Sequence, residues 1–264
     1  IYTPDVADGS EKAQINIYGG TVTGGEAKLG GAIGLKSEAV ATITGGTIVS
    51  GKGTNGTAIY VSATGNVTLE NATVVGGASG TTIWNCGVMT LSGKVDMPEA
   101  NFDIMLDKRS GDDCYLNVAT LTQVTDPISV RRWETDSTND DAGLLANGAT
   151  ESHTAMFEAK KADFYEIQLS EGTLVLAEKA VNFYGMNSSG EYLAVFADLS
   201  NLSAAPEGIT YYRAGQNSDG AVIGTSVILD LNGKVLTNVT VNEGVTLSLV
   251  DTANDNYIAD ECGS

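Results

Sequence analysis

Between Ile15 and Val61 the chain says nearly the same thing twice. INIYGGTVTGGEAKLGGAIGLKSE (15–38) is followed by ATITGGTIVSGKGTNGTAIYVSAT (41–64), and Ile17 and Ile43 hold equivalent places 26 residues apart. Leu69 continues the series after another 26, Leu91 after 22 and Leu116 after 25. A period in the twenties is the mark of a stacked repeat, because one such unit is too short to bury its own apolar side.

Within a unit the side chains alternate at period two, which is strand periodicity. A first column places Ile15/Ile17, Ala41/Ile43, Val67/Leu69 and Met89/Leu91 inward, and Asn16, Thr42, Thr68 and Thr90 outward. A second places Val22, Ile48, Val74 and Val95 inward, and a third Ile33/Leu35, Ile59/Val61, Ile83 and Ile104/Leu106. Glycines such as Gly19-Gly20 and Gly45-Gly46 stand between columns, where the chain must bend sharply. Strands one turn apart run in the same direction, and such crossovers are right-handed. The expected fold is all-β: a right-handed parallel β-helix (solenoid) over 13–130, closed by a β-rich segment to about 180. A sustained 3.6-residue period is absent from 13–130, where β-branched residues and glycine dominate.

Further along, RRWETDSTNDDAGLLANG (131–148) has loop composition, and ADFYEIQLSEGTLVLAEKA (162–180) reads as a hairpin about Glu171-Gly172. In GEYLAVFADLSNLSAAPEG (190–208), Tyr192, Val195/Phe196, Leu199 and Leu202 recur at three to four residues and predict a short amphipathic capping helix over 190–203, stopped by Pro206. VILDLNGKVLTNVTVNEGVTLSLVD (227–251) then predicts three strands with turns at Asn232-Gly233 and Glu243-Gly244, the start of a second, truncated β-stack. Two domains are expected, 1–180 and 181–264.

The charge balance is 14 basic against 33 acidic residues, a net of −19. It argues against nucleic acid and anionic lipid, both of which need a basic face. No apolar run is long enough to span a membrane as a helix. The chain opens at Ile1 without a leader and ends in DECGS without an anchor or sorting signal, and reads as a piece of something longer, monomeric by itself. Cys86, Cys114 and Cys262 make no even disulfide framework. Cys86 and Cys114 lie about one turn apart, so a bridge is conceivable, but small apolar fillers of the stack are expected.

The TITGGTI and GTAIYV units, together with 227–251 and its preceding segment, resemble the β-helical repeat regions of large secreted surface proteins of gut Gram-positive bacteria. LTQVTDPISVRRW (121–133) with FYEIQLSEGTLVL (164–176) is similar to the unit that ends a repeat block in those proteins. The resemblance implies secretion, display at the cell surface through parts of a larger parent, and adhesin-like binding of a host protein, such as an immunoglobulin, or of a glycan. It supplies no catalytic residue.

The enzymatic alternative is a polysaccharide lyase or glycoside hydrolase, since pectin-active enzymes use this fold. Hydrolysis needs two carboxylates facing one groove. The pairs Asp112-Asp113 and Asp140-Asp141 do not fit, because neighbours on a strand point to opposite faces, and 140–141 sit in a polar loop. The single histidine, His153, lies outside the coils, and no acidic ladder accompanies Arg131, Arg132 and Asp126. No cofactor or metal is expected. The Asp- and Asn-rich stretches 136–143 and 251–261 match no calcium loop and read as turns. Thr42/Thr68/Thr90 and Thr21/Thr47/Thr73 form outward ladders of the kind flat ice-binding faces use. The interruptions by Asn16 and Lys94 and the uneven coil lengths are expected to spoil their regularity. In the third column the outward residues are Gly34, Tyr60, Trp84 and Met105. Tyr60 and Trp84 are expected one above the other on the solvent face, with Met105 and Arg131 beside them, as the binding residues.

Overall fold

The computed structural model describes residues 1–4, 12–77, 80–98, 103–107, 114–133 and 143–253. Stacked parallel strands make a β-solenoid of about 5 turns, with 53% of the chain in strand and 2% in helix. The chain divides into two compact units, Ile1–Ala177 and Glu178–Ser264.

In the first unit the first sheet stacks Gln14–Tyr18, Val40–Thr44, Asn66–Glu70, Val88–Lys94, Tyr115–Gln123 and Gly143–Asn147 in parallel. The second sheet stacks Thr21–Thr23, Thr47–Val49 and Thr73–Val75. The third runs from Ile33–Leu35 through Ile59–Val61, Ile83–Asn85, Ile104–Asp107 and Ile128–Trp133 to Phe157–Ala159. Each coil closes on apolar ladders: Ile43, Leu69 and Leu91 in one and Ile33, Ile59, Ile83 and Ile104 in another, all with no exposed surface. Leu116, expected to follow Leu91, pairs instead with Met89 in the adjoining inward line, because the register shifts by a bulge after Thr90. Ile15 and Ile17, in the first coil, are half-buried.

Two features of this stack escape the three-column reading. Glu26–Leu29 pairs in parallel with Lys52–Asn55, adding a short fourth side to the first two coils. The offset between paired residues ranges from 21 (Ile83 to Ile104) to 30 (Leu116 to Ala146). Most extra residues are accommodated between columns, and Tyr115–Gln123 takes up two as bulges against Val88–Lys94, after Thr90 and after Gly93. At the bends Gly45 and Gly46 have φ of 72° and 81°, and a Cβ on Gly46 would stand 2.7 Å from the Gly20 carbonyl oxygen. Only glycine accommodates both. Thr173–Glu178 pairs antiparallel with Gly143–Asn147 and adjoins Tyr165–Ser170 across a turn whose Glu171 and Gly172 both have positive φ, as a two-residue hairpin requires. Antiparallel pairing thus ends the parallel stack.

In the second unit Tyr211–Ala214, Val227–Asp230 and Leu247–Val250 stack in parallel, flanked by Ser218–Asp219 on Leu236–Thr237 and Val222–Ile223 on Thr240–Val241. Paired residues here lie 17 to 20 apart, a tighter coil than in the first unit. Leu199, Ile223 and Leu229 are fully buried at its centre.

The expected helix over 190–203 is absent. Tyr192–Phe196 is a strand, antiparallel to Phe183–Met186, which in turn pairs antiparallel with Tyr211–Ala214. YLAVF is a short apolar run that either period fits, and the neighbouring strand decides between them. The stretch 198–203 cannot be helical either, because the Asp198 and Asn201 side chains accept from the Ser200 and Ser203 amides at 2.8 and 3.0 Å. Those turns divert the backbone from an i−4 ladder. The edge of the sheet is therefore covered by a strand where a helix was expected.

Candidate functional site

Register places the sequence-derived binding residues on one line: Gly34 pairs with Tyr60, Tyr60 with Trp84, Trp84 with Met105 and Met105 with Arg131. The line lies outside the coil, as alternation requires, but it is not open to solvent. Trp84 is 8% exposed, Met105 1%, and Tyr60 is half-buried. With Cys86 and Trp133 they form a second apolar cluster on the outer face, in which the Trp84 and Trp133 rings are 5.7 Å apart. Burial, then the Cys86 thiol, pushes the Tyr60 phenol up to about 12. Alternation tells which side of a strand a residue is on; it is silent about what packs against that side. Trp84 and Met105 are thus packed under neighbouring side chains, and the expected solvent-facing aromatic pair is corrected to a buried Trp84 beside a half-buried Tyr60.

The polar partners of this cluster hold it in place. The Trp84 indole N–H donates to Asp107 at 2.9 Å. Arg131 pairs through Nε with the buried Asp103 at 2.8 Å and donates to Thr81. Replacing Trp84 by Phe keeps an aromatic ring but removes the N–H and part of the indole's volume, and is expected to lower stability by about 1–3 kcal/mol. A denaturant melt checks this.

Titratable groups elsewhere are likewise engaged in structure. His153 is buried; the Thr150 amide donates to Nδ1 at 2.8 Å, so the ring carries its proton on Nε2 and donates to the Leu121 carbonyl at 3.0 Å. Asp230 has no exposed surface and accepts from Arg213 Nε, the Asn232 and Thr252 amides and the Thr252 hydroxyl. Tyr192 donates to Glu178, and burial followed by that carboxylate raises its phenol. Cys86 and Cys114 are buried thiols not joined by a disulfide, and Cys114 Sγ donates to the Asn85 carbonyl at 2.8 Å. Asn85 itself points into the apolar ladder between Val61 and Leu106 and bonds Gly87 through its amide. Among the described residues no three His, Cys, Asp or Glu side chains converge to hold a metal. The pairs Asp112-Asp113 and Asp140-Asp141 and Cys262 lie outside the described residues, as do 136–142 and 254–261 of the two Asp- and Asn-rich stretches.

The concave surface that sequence reasoning missed is in the second unit. A groove of about 530 Å³ runs between the 202–210 segment and the strand starts at 225–228 and 246–248. Its apolar wall includes Leu202, Pro206 and Ile209, and Ile228 stands 46% exposed beside it. Hydroxyls of Thr210, Thr225, Ser226, Thr246 and Ser248 line the groove, and Glu207 is the one charged residue of the lining. Ile228 and Ser248 are register partners, so apolar and hydroxyl groups alternate from one coil to the next. In the sequence, VIL at 227–229 is an unbroken apolar run, which hides that Ile228 faces out while Val227 and Leu229 face in. Chemically the groove can hold a ligand by apolar contact and neutral hydrogen bonds.

The chain is a β-solenoid protein. No protein-family model, curated protein or solved structure matches it.

Proposed function

We propose that this chain is a non-catalytic binding module of a bacterial cell surface, secreted as part of a larger protein and adhesin-like in holding a host protein or glycan. The observation that carries this reading is the groove of the second unit, whose lining offers apolar contact and hydroxyls with a single carboxylate. A general acid or base needs a free titratable group beside the reacting atom. The buried candidates, His153, Asp103 and Asp230, are held by backbone groups or by arginines. Surface origin comes from the sequence resemblance.

The test is a glycan array together with a pull-down against host secreted proteins, immunoglobulins included. Ile228→Asp then locates the contact: the residue is exposed, so folding is expected to survive while affinity falls at least tenfold, about 1.4 kcal/mol. Binding unchanged in the variant places the contact elsewhere. Absence of any ligand favours a display stalk. Release of reducing or unsaturated sugar from an acidic polysaccharide overturns the non-catalytic reading.

A further inference from the structure

The outer face of the first sheet carries a regular array that packing does not use. Its central line reads Asn16, Thr42, Thr68, Thr90, Asn117 and Asn147, each the register partner of the next. The unequal coil lengths, expected to break this line, are absorbed outside it, the bulges between the fourth and fifth strands falling after Thr90, so one hydroxyl or amide recurs per strand at about 4.8 Å. The Thr42, Thr68 and Thr90 hydroxyls have no hydrogen-bond partner among the described residues. Asn16 and Asn117 change the group but keep a donor and an acceptor in place. On the outward positions of the first four strands the charged side chains are Glu70, to which Thr44 donates at 3.3 Å, and Lys94 at the end of the fourth strand, which pairs with Asp96 at 2.9 Å. Tyr18 stands 77% exposed at one corner, and Tyr115 is half-buried on the fifth strand.

We infer that this face binds a neutral linear polysaccharide laid along the stack. A chain of net charge −19 repels anionic polymers, and the cation on the first four strands of this face, Lys94 at one edge, is already paired with Asp96. Protein partners are held by a few large side chains seated in desolvated pockets, which a flat hydroxyl face does not provide. A polymer of uncharged, hydroxyl-bearing rings matches it in three ways. Each ring meets a donor and acceptor at the strand repeat, weak contacts multiply along the polymer, and the exposed Tyr18 ring offers stacking surface at the margin. This rests on the proposed binding function but concerns a different face from the groove, so the two fail separately.

The experiment measures retardation of the full chain in gels containing hydroxyethyl cellulose, an uncharged glucan, with polygalacturonate as the anionic control. Retardation by the first alone is expected. The triple variant Thr42→Val, Thr68→Val, Thr90→Val keeps shape and strand preference, and is expected to weaken binding at least tenfold. The matching triple variant at Thr21, Thr47 and Thr73 on the second sheet is expected to change it less than twofold. Tyr18→Ala, at a site too exposed to affect folding, is expected to weaken it at least threefold and so keeps the test open if the triple variant misfolds. The inference is overturned by no retardation, by equal retardation in polygalacturonate, or by unchanged binding in the first triple variant or in Tyr18→Ala. Thermal hysteresis without glucan binding overturns it in favour of an ice surface. A ligand still lost in Ile228→Asp under any of these leaves the groove reading intact.

Discussion

Replacing Ile43 by Asp is expected to abolish cooperative folding of the first unit. Ile43 has no exposed surface and stands between Ile17 and Leu69 in the first ladder. Truncating a buried Ile costs about 2–5 kcal/mol, and an uncompensated charge at the same place adds several more. That sum is comparable with the whole stability of a typical domain, about 5–15 kcal/mol. Ile43→Val is the control, expected to cost about 0.5–1.5 kcal/mol. Far-UV circular dichroism during a thermal melt separates them: loss of the transition in the first, a modest shift in the second. A cooperative melt in Ile43→Asp would mean that the ladder tolerates charge and that the core is elsewhere.

Asp230→Ala is expected to cost the second unit about 3–5 kcal/mol, because it leaves the Arg213 guanidinium without the carboxylate at 3.0 Å and strips acceptors from the Asn232 and Thr252 amides. The same carboxylate makes this unit acid-sensitive. Burial alone would raise its pKa, but hydrogen bonds from Thr252, Asn232 and Arg213 outweigh burial and hold it below the ordinary value. Its contribution is therefore complete above the unfolded aspartate value, about 3.9, and is lost as pH falls through the lower folded value. Asp103 in the first unit behaves oppositely. Burial raises its pKa despite Arg131 and Lys160, so its ionised form is penalised on folding, and acid relieves that penalty. Hydrogen exchange measured from pH 5 downward is expected to show protection around Asp230 falling below about pH 4, with Asp103 not contributing to acid unfolding. Protection around Asp230 that is insensitive to acid would sink this assignment.

Alternation decides how much of this architecture was legible in the sequence. Ile33, Ile59, Ile83 and Ile104 declare both their strand and their inward face, because period two and a recurring spacing agree. Glu171-Gly172 and Asn232-Gly233 declare their turns through residues that accept positive φ. Tyr192–Phe196 does not declare itself: five apolar residues without alternation take the structure of whatever lies beside them, here Phe183–Met186. The candidate site was hidden for a related reason. Trp84 and Met105 announce an outward face but not the Trp133 packing against it, and the groove arises between 202–210 and two strand starts that no local pattern connects.

The parallel register of the first unit also governs how it meets force. Backbone hydrogen bonds between successive coils lie across the strands and so run along the stack. Tension along that axis loads the coils in series, and each interface must yield alone, without sharing the load with the others. A released coil such as 17–43, 26 residues from ladder position to ladder position, frees roughly 90 Å of extended chain. Pulled lengthwise, the first unit would unwind in steps of one coil at low force, absorbing work through extension where a shear-loaded sandwich would resist and then fail at once.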